Sequence, residues 1–341
     1  YSQIHREYAL LLFEREDYAF ALGQFEKVNV KDLSGKEAGE YWYKKGYCLF
    51  ASESFAEAKD CFLKSVEYAT EYTYPGYFAI GMIEYNYRNF PFAQRWFEKS
   101  VNDPRFSEVS AFYLVDCHFM AKDYDYVIKY GEAMFPTIPQ ERKKYLSRML
   151  SESFLVKGDA ASARKYLTVG GKMSSADYFH AGSVLYAVGD YRGAIQNFDR
   201  MGDRADSLSQ IAYYQKAYSY IKIKNKVGAL ESFKQASALR FDANISEDAL
   251  FNYAKLAFDL NNDETVFKTY IDTYGTSKKG EMIYDYLAMS ALLRKDYAKA
   301  VEFYDNIDEL SVDQKSNYIK ANFQRAHQLL DLGSYALSVP Y

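Results

Sequence analysis

The feature that most limits the fold of this chain is a short pattern of side chains that recurs ten times along its 341 residues. In the clearest copies a polar residue precedes an aromatic one, a small residue follows, and a second aromatic comes four positions later, as in Ser54, Phe55, Ala58 and Phe62. The residue after the polar position has the number 18, 55, 90, 124, 160, 191, 226, 263, 297 or 335, so the spacing averages about 35 residues. Periods of this length are typical of repeat proteins.

The polar residue of each copy predicts where a helix begins. It is always Asp, Asn or Ser, whose side-chain oxygen can accept a hydrogen bond from the free N–H groups of a helix start. Nine positions before each expected start lies a second column of residues, small except for Val115: Ala9, Gly46, Gly81, Val115, Ser151, Gly182, Ala217, Ala254, Ala288 and Ala326. Small residues on two consecutive helices predict antiparallel helix pairs in close contact.

The spacing of Trp42, Gly46, Phe55, Ala58 and Phe62 resembles the signature of the tetratricopeptide repeat, and the resemblance extends over nearly the whole chain. It implies an all-α fold, a right-handed α-α superhelix of about nine to ten helix-turn-helix repeats. The 35 tyrosines and the uneven spacing are similar to those of long multi-repeat proteins of bacterial envelopes. This narrower resemblance implies an envelope or periplasmic location, with the cytoplasm as the open alternative.

The spacing also indicates where the array changes. Only 31 residues separate the expected helix starts at 160 and 191, and Pro136 and Pro139 interrupt the linker upstream. We therefore expect a bend, and we divide the chain into an N-terminal array, residues 1–135, and a C-terminal array, residues 136–341, that continues the same solenoid. The last repeat is interpreted as truncated.

Charge and motifs argue against several classes of function. The net charge is −4 and no long basic cluster occurs, which is unlike a nucleic-acid surface. No apolar stretch approaches the roughly 18 residues of a membrane span, so we expect no membrane insertion of this segment.

The histidines lie in different repeats without metal-binding spacing: His5, His118, His180 and His327. The cysteines are interpreted as small buried apolar residues: Cys48, Cys61 and Cys117. Because phosphate-loop and nucleophile motifs are also absent, we predict a protein that is not an enzyme and has no cofactor or metal site.

The candidate binding residues lie on the first helix of each pair, three positions before the small-residue column or one position after it. Aromatic side chains occupy six of the nine positions in the first of these columns and two of the nine in the second: Tyr43, Tyr47, Phe78, Phe112, Phe179, Tyr214, Tyr218 and Phe251. The two positions are one helical turn apart, so Tyr43 with Tyr47, and Tyr214 with Tyr218, should form aromatic steps on one face. The resemblance implies that first helices line the concave surface, where tyrosines suit protein binding.

These residues predict a scaffold for protein–protein interaction that binds a protein or extended peptide in an aromatic-lined concave groove, within a larger bacterial envelope protein. The alternative is a structural spacer or regulatory arm that positions another domain. The rings could also pack against the next repeat instead of facing a groove. We expect Tyr43 and Tyr214 to be at least partly exposed, because an unpaired hydroxyl is costly to bury. The identity of the partner and the oligomeric state stay open.

Overall fold

The computed structural model describes residues 1–167, 173–202, 204–275 and 277–341. Over these ranges the chain forms twenty α-helices and one short 3-10 helix, and it contains no β-strand. The chain divides into two compact units, Tyr1–Val169 and Gly170–Tyr341. The division between residues 135 and 136 stays a prediction. The short interval between the helix starts at 160 and 191, which predicts a bend, includes residues 168–172, and these lie outside the described residues.

The described part of the first unit consists of five consecutive helix pairs. They are α1 (Ser2–Glu14) with α2 (Tyr18–Phe25), α3 (Gly35–Ala51) with α4 (Phe55–Ser65), α5 (Thr73–Asn86) with α6 (Phe90–Ser100), α7 (Ser107–Met120) with α8 (Tyr124–Met134), and α9 (Gln140–Val156) with α10 (Ala160–Lys165). The 3-10 helix, Val30–Asp32, lies between the first pair and the second. Within this unit, each helix from α1 to α9 packs against the next one along the chain.

The second unit repeats the same arrangement, with five pairs in its described residues. They are α11 (Ser175–Ala187) with α12 (Tyr191–Asp199), α13 (Ser207–Lys222) with α14 (Lys226–Ala238), α15 (Ala243–Asn261) with α16 (Thr265–Tyr274), α17 (Lys278–Leu293) with α18 (Tyr297–Tyr304), and α19 (Val312–Asp331) with α20 (Tyr335–Ser338). The prediction of an all-α chain built from helix pairs is confirmed. The right-handed sense of the superhelix stays a prediction.

The second helix begins at the predicted residue in nine of the ten described pairs. The exception is α16, which begins at Thr265 instead of residue 263. Asn262 adopts a left-handed conformation, with φ of 52°, and ends α15. The Oδ1 atom of Asp263 then accepts a hydrogen bond from the backbone N–H of Thr265 at 2.9 Å. Asp263 therefore belongs to the turn, and the helix starts two residues later than the pattern indicates.

The predicted side-chain caps form at only five of the ten positions. The oxygens that accept from the first turn belong to Asp123, Asp159, Asp190, Asn225 and Asp296. The prediction is wrong for Asp17, Ser54, Asn89 and Ser334, which make no such bond, and for Asn262. At these sites the backbone closes the turn, as when the N–H of Ser54 donates to the carbonyl of Leu49 at 2.9 Å.

Every described turn between the two helices of a pair contains a residue in the left-handed region, with φ between 52° and 84°. They are Glu16, Glu53, Arg88, Lys122, Gly158, Gly189, Lys224, Asn262, Lys295 and Gly333. Only three of them are glycine, although the left-handed conformation costs other residues roughly 1–2 kcal/mol. The packing of the two helices therefore imposes the turn conformation on residues that do not favour it.

The core of each pair is a contact between the small residue of the first helix and a ring of the second. A Cβ atom added to Gly46 would lie 3.0 Å from the ring of Phe62, and one added to Gly182 would lie 2.5 Å from that of Phe198. In the fourth pair the equivalent positions hold Val115 and Gly131, and a Cβ atom added to Gly131 would lie 3.0 Å from the side chain of Leu150. The predicted close contact is confirmed.

The three cysteines are free and buried, as predicted: Cys48, Cys61 and Cys117. Burial raises the pKa of Cys48 and of Cys117 to about 12, so their thiols stay protonated and unreactive at neutral pH. They therefore act as small apolar residues of the helix pairs.

Replacing Gly182 by alanine should destabilise the second unit. The added methyl group would overlap the ring of Phe198, and this overpacking outweighs the gain in helix propensity, for a net loss of roughly 1–2 kcal/mol in the free energy of unfolding. The matched control is Gly23→Ala, because a Cβ atom there has no neighbour within 4 Å. The control should gain up to about 1 kcal/mol. Urea unfolding of both variants checks this, and equal effects would contradict the assigned contact.

Candidate functional site

An apolar hollow of about 260 Å³ lies in the first unit beside the first helices α3 and α5. Its lining consists of Tyr43, Tyr47, Phe50, Phe62, Pro75, Phe78, Ala79, Met82 and Phe106. None of these lining side chains is charged. Three of the eight predicted site residues come together here: Tyr43, Tyr47 and Phe78.

Contacts between rings hold the walls of the hollow in place. Tyr43 stacks on Tyr72 with ring centroids 5.0 Å apart, and Phe78 lies 5.2 Å from Phe106. Tyr47 remains 38% exposed at the rim. Because several rings are fixed by neighbouring helices, the hollow is a preformed feature of this unit.

Tyr43 is half-buried, in agreement with the expectation that it is partly exposed. Burial raises the pKa of its phenol to about 12. The hydroxyl therefore stays protonated at neutral pH and can donate a hydrogen bond.

In the second unit, Tyr214 and Tyr218 form the predicted aromatic step, with ring centroids 5.0 Å apart. Their hydroxyls donate to the same Oδ2 atom of Asp248, at 2.7 Å and 2.9 Å. Lys279 donates to the other carboxylate oxygen at 2.8 Å. Burial alone would raise the pKa of Asp248, but these donors outweigh it and lower the pKa. Both tyrosines are half-buried, and their hydroxyls donate their hydrogen bonds to a residue of the same unit.

A second carboxylate cluster lies in the first unit around Asp116, which is 1% exposed. The hydroxyl of Tyr85 donates to its Oδ2 atom, and that of Tyr145 donates to Oδ1 at 3.3 Å. Burial raises the pKa of Asp116, and the two hydrogen bonds offset only part of this effect. Asp116 thus joins helices α5, α7 and α9 through one buried side chain.

The remaining predicted site residues pack between helices. Phe112 and Phe251 are each only 6% exposed, and Phe251 contacts the ring of Tyr270 at 5.9 Å. Phe179 is half-buried, with its ring 6.5 Å from that of Phe198. The expectation of an open aromatic row is therefore wrong at positions 112 and 251, because the neighbouring helices cover these rings. The structure does not bring Phe112 or Phe179 into the hollow.

Several residues of the hollow were not predicted as site residues. Phe106 comes from the segment before α7, which lies outside the repeating columns, so no periodic signal marks it. Met82 does lie in a column, one residue after Gly81 and equivalent to Tyr47. A pattern that accepted methionine as well as aromatic residues would have included it.

In the described part of the chain, no group of three or more His, Cys, Asp or Glu side chains is placed to hold a metal ion. None of the helices in the described ranges is both long enough and apolar enough to cross a membrane.

Consecutive antiparallel pairs with small-to-aromatic contacts make each unit an α-α solenoid similar to tetratricopeptide repeat arrays. The chain matches no protein-family model. No curated protein matches it either.

Solved structures with related helical arrangements show low similarity in sequence. The structure of Naa15/Naa10 bound to HypK-THB matches 96% of this chain with 13% identity and a TM-score of 0.44, and the chain spans only 52% of that protein. The C-terminal part of a TPR repeat-containing protein from Cytophaga hutchinsonii matches 92% of this chain and 98% of its own, with 13% identity and a TM-score of 0.38. The TPR2AB domain of yeast Sti1, solved with pHSP90, matches 75% of this chain and 98% of its own, with 16% identity and a TM-score of 0.31. The fold assignment therefore rests on the helix pairs themselves.

Asp116 and Asp248 should give opposite pH dependences of stability. The pKa of Asp116 is higher in the folded state than in the unfolded state, where it is about 4. Asp116 therefore stabilises the fold below about pH 4, and this contribution is lost as the pH rises through the folded pKa. The pKa of folded Asp248 is lowered, so its contribution is present above about pH 4 and is lost as pH falls through the folded pKa.

As pH rises, the free energy of unfolding of Asp116→Asn should therefore increase relative to the unmodified protein, and that of Asp248→Asn should decrease. Urea titrations between about pH 3 and about pH 8 measure both differences. Differences of the same sign would contradict the assigned environments.

Proposed function

We propose that the chain is a scaffold for protein–protein interaction and that its first unit binds a segment of another protein at the hollow. The observation that carries this proposal is the preformed, uncharged hollow that opens among Tyr43, Tyr47, Phe78 and Met82. An open apolar recess lined by aromatic side chains is the usual environment of a binding hot spot. The proposal assigns no catalytic role to these residues.

The size of the hollow indicates what it takes. Sites for drug-sized ligands usually measure about 300–1,000 Å³, and this hollow of about 260 Å³ is smaller. It fits an anchoring apolar side chain of a protein segment better than a cofactor or metabolite. Main-chain atoms of the segment would then lie across the exposed rim at Tyr47.

The second candidate, a structural spacer or regulatory arm, is favoured by the second unit. There the hydroxyls of Tyr214 and Tyr218 are bonded to Asp248, and Phe251 is buried. These contacts support a packing role for the predicted residues of that unit. A location in the bacterial cell envelope stays a prediction.

Photo-crosslinking can identify the partner and test the proposal. Two variants of the 341-residue chain are prepared with the photoreactive residue benzoylphenylalanine. One carries it in place of Met82, which lines the hollow. The other carries it in place of Phe92 on α6, which is 50% exposed and does not line the hollow. We expect a distinct crosslinked protein from native extract at position 82 and not at position 92.

With the purified partner, Tyr47→Ala should raise Kd roughly 30-fold, about 2 kcal/mol, as at a binding hot spot. Phe92→Ala should leave Kd unchanged. Urea unfolding should show a moderate loss of stability for Tyr47→Ala, because its ring also lies 5.4 Å from the rings of Phe13 and Tyr18, so Kd is measured where circular dichroism shows the variant to be folded. Crosslinking at both positions, or equal affinities of the two alanine variants, would contradict the hollow as the binding site.

A further inference from the structure

The hydroxyl of Tyr43 differs from that of the tyrosine stacked on it. Tyr72 donates its hydroxyl hydrogen bond to Oε1 of Glu40 at 3.1 Å. Tyr85 and Tyr214 likewise donate to carboxylates. The Tyr43 hydroxyl has no acceptor among the described residues, although its ring lines the hollow.

Charged side chains around the stacked Tyr72 and around Phe106 take part in ion pairs. Arg6 donates to Glu40 at 2.6 Å, and Lys44 lies 3.3 Å from the same carboxylate. Arg105 lies 5.7 Å from the ring of Phe106 and pairs with Asp103 at 2.8 Å. Because none of the lining side chains is charged, a carboxylate or ammonium group that enters the hollow would lose its hydration without a charged partner in the lining. This surface is complementary to a neutral group.

Filling the hollow has a further consequence for Tyr43. An apolar side chain that occupies the hollow displaces water from around the hydroxyl, and a donor left without an acceptor opposes binding. An acceptor on the bound segment removes that penalty. In a neutral polypeptide, the acceptor present at every residue is the backbone carbonyl.

We propose that the hollow recognises a neutral, extended protein segment that inserts one apolar side chain and accepts a hydrogen bond from the Tyr43 hydroxyl through a backbone carbonyl. This inference rests on the proposed function of the hollow. It makes Tyr43 a specificity-determining residue, which selects for main-chain position, while the apolar lining selects for the side chain.

The test uses peptides selected from a display library of random 12-residue sequences against the 341-residue chain. Selected peptides are retained if Met82→Asp abolishes their binding, which ties them to the hollow. Fluorescence anisotropy with synthetic copies, blocked at both ends, then gives Kd for the unmodified protein, for Tyr43→Phe and for Tyr72→Phe. The last variant is the matched control, since its ring stacks on Tyr43 and its hydroxyl is bonded to Glu40.

Tyr43→Phe should raise Kd about fivefold, the value of one neutral hydrogen bond, without lowering the urea midpoint. Tyr72→Phe should lower the urea midpoint and leave Kd nearly unchanged. Binding should vary little between low and high salt. Replacing one peptide amide by an ester, whose carbonyl is a weaker acceptor, should weaken binding to the unmodified protein but not to Tyr43→Phe.

The outcomes separate the two proposals. If no selected peptide depends on Met82, the proposed function of the hollow fails and this inference fails with it. If peptides depend on Met82 but bind Tyr43→Phe as tightly as the unmodified protein, the inference is wrong and the hollow remains a binding site. A steep loss of affinity with salt would show that a charged segment is recognised, and would overturn the inference as well.

Discussion

The rest of this structure depends on one contact within each helix pair. In it, a small residue of the first helix lies against an aromatic ring of the second helix. Gly81 allows the ring of Phe97 to lie where a Cβ atom would be only 2.8 Å away. This approach fixes the spacing within each pair and therefore the positions that face the neighbouring pair. The hollow exists because the same geometry places Tyr47 and Met82 at equivalent positions of consecutive first helices.

The abundance of tyrosine has a second physical explanation besides ring packing. A tyrosine between helices buries its ring and still needs an acceptor for its hydroxyl. The chain supplies carboxylates for many of them: Tyr72 with Glu40, Tyr166 with Glu132, Tyr214 and Tyr218 with Asp248, and Tyr270 with Glu247. These bonds join residues 23 to 34 positions apart, so most of them connect neighbouring pairs.

The helix pairs and nearly all starts of the second helices were predictable from the sequence, because a period of small and aromatic residues acts locally. The site was predictable only in part. Tyr43, Tyr47 and Phe78 meet as expected, but Phe106 lies outside the period, and the bond from Tyr214 to Asp248 depends on the exact offset between helices. The left-handed residues of the turns were also missed, since charged residues such as Glu53 and Lys224 carry no sequence signal for that conformation.

The buried carboxyl group of Asp116 has a consequence for how the first unit opens. It accepts hydrogen bonds from Tyr85 of the preceding pair and from Tyr145 of the following pair. A fluctuation that separates either neighbour leaves a buried polar group without its partner, so the opening of one pair is unfavourable unless the others open too. Three consecutive pairs are thereby coupled into one cooperative block within an array whose repeats otherwise interact only with their neighbours. Amide hydrogens of α5, α7 and α9 should then exchange with solvent through a shared opening event.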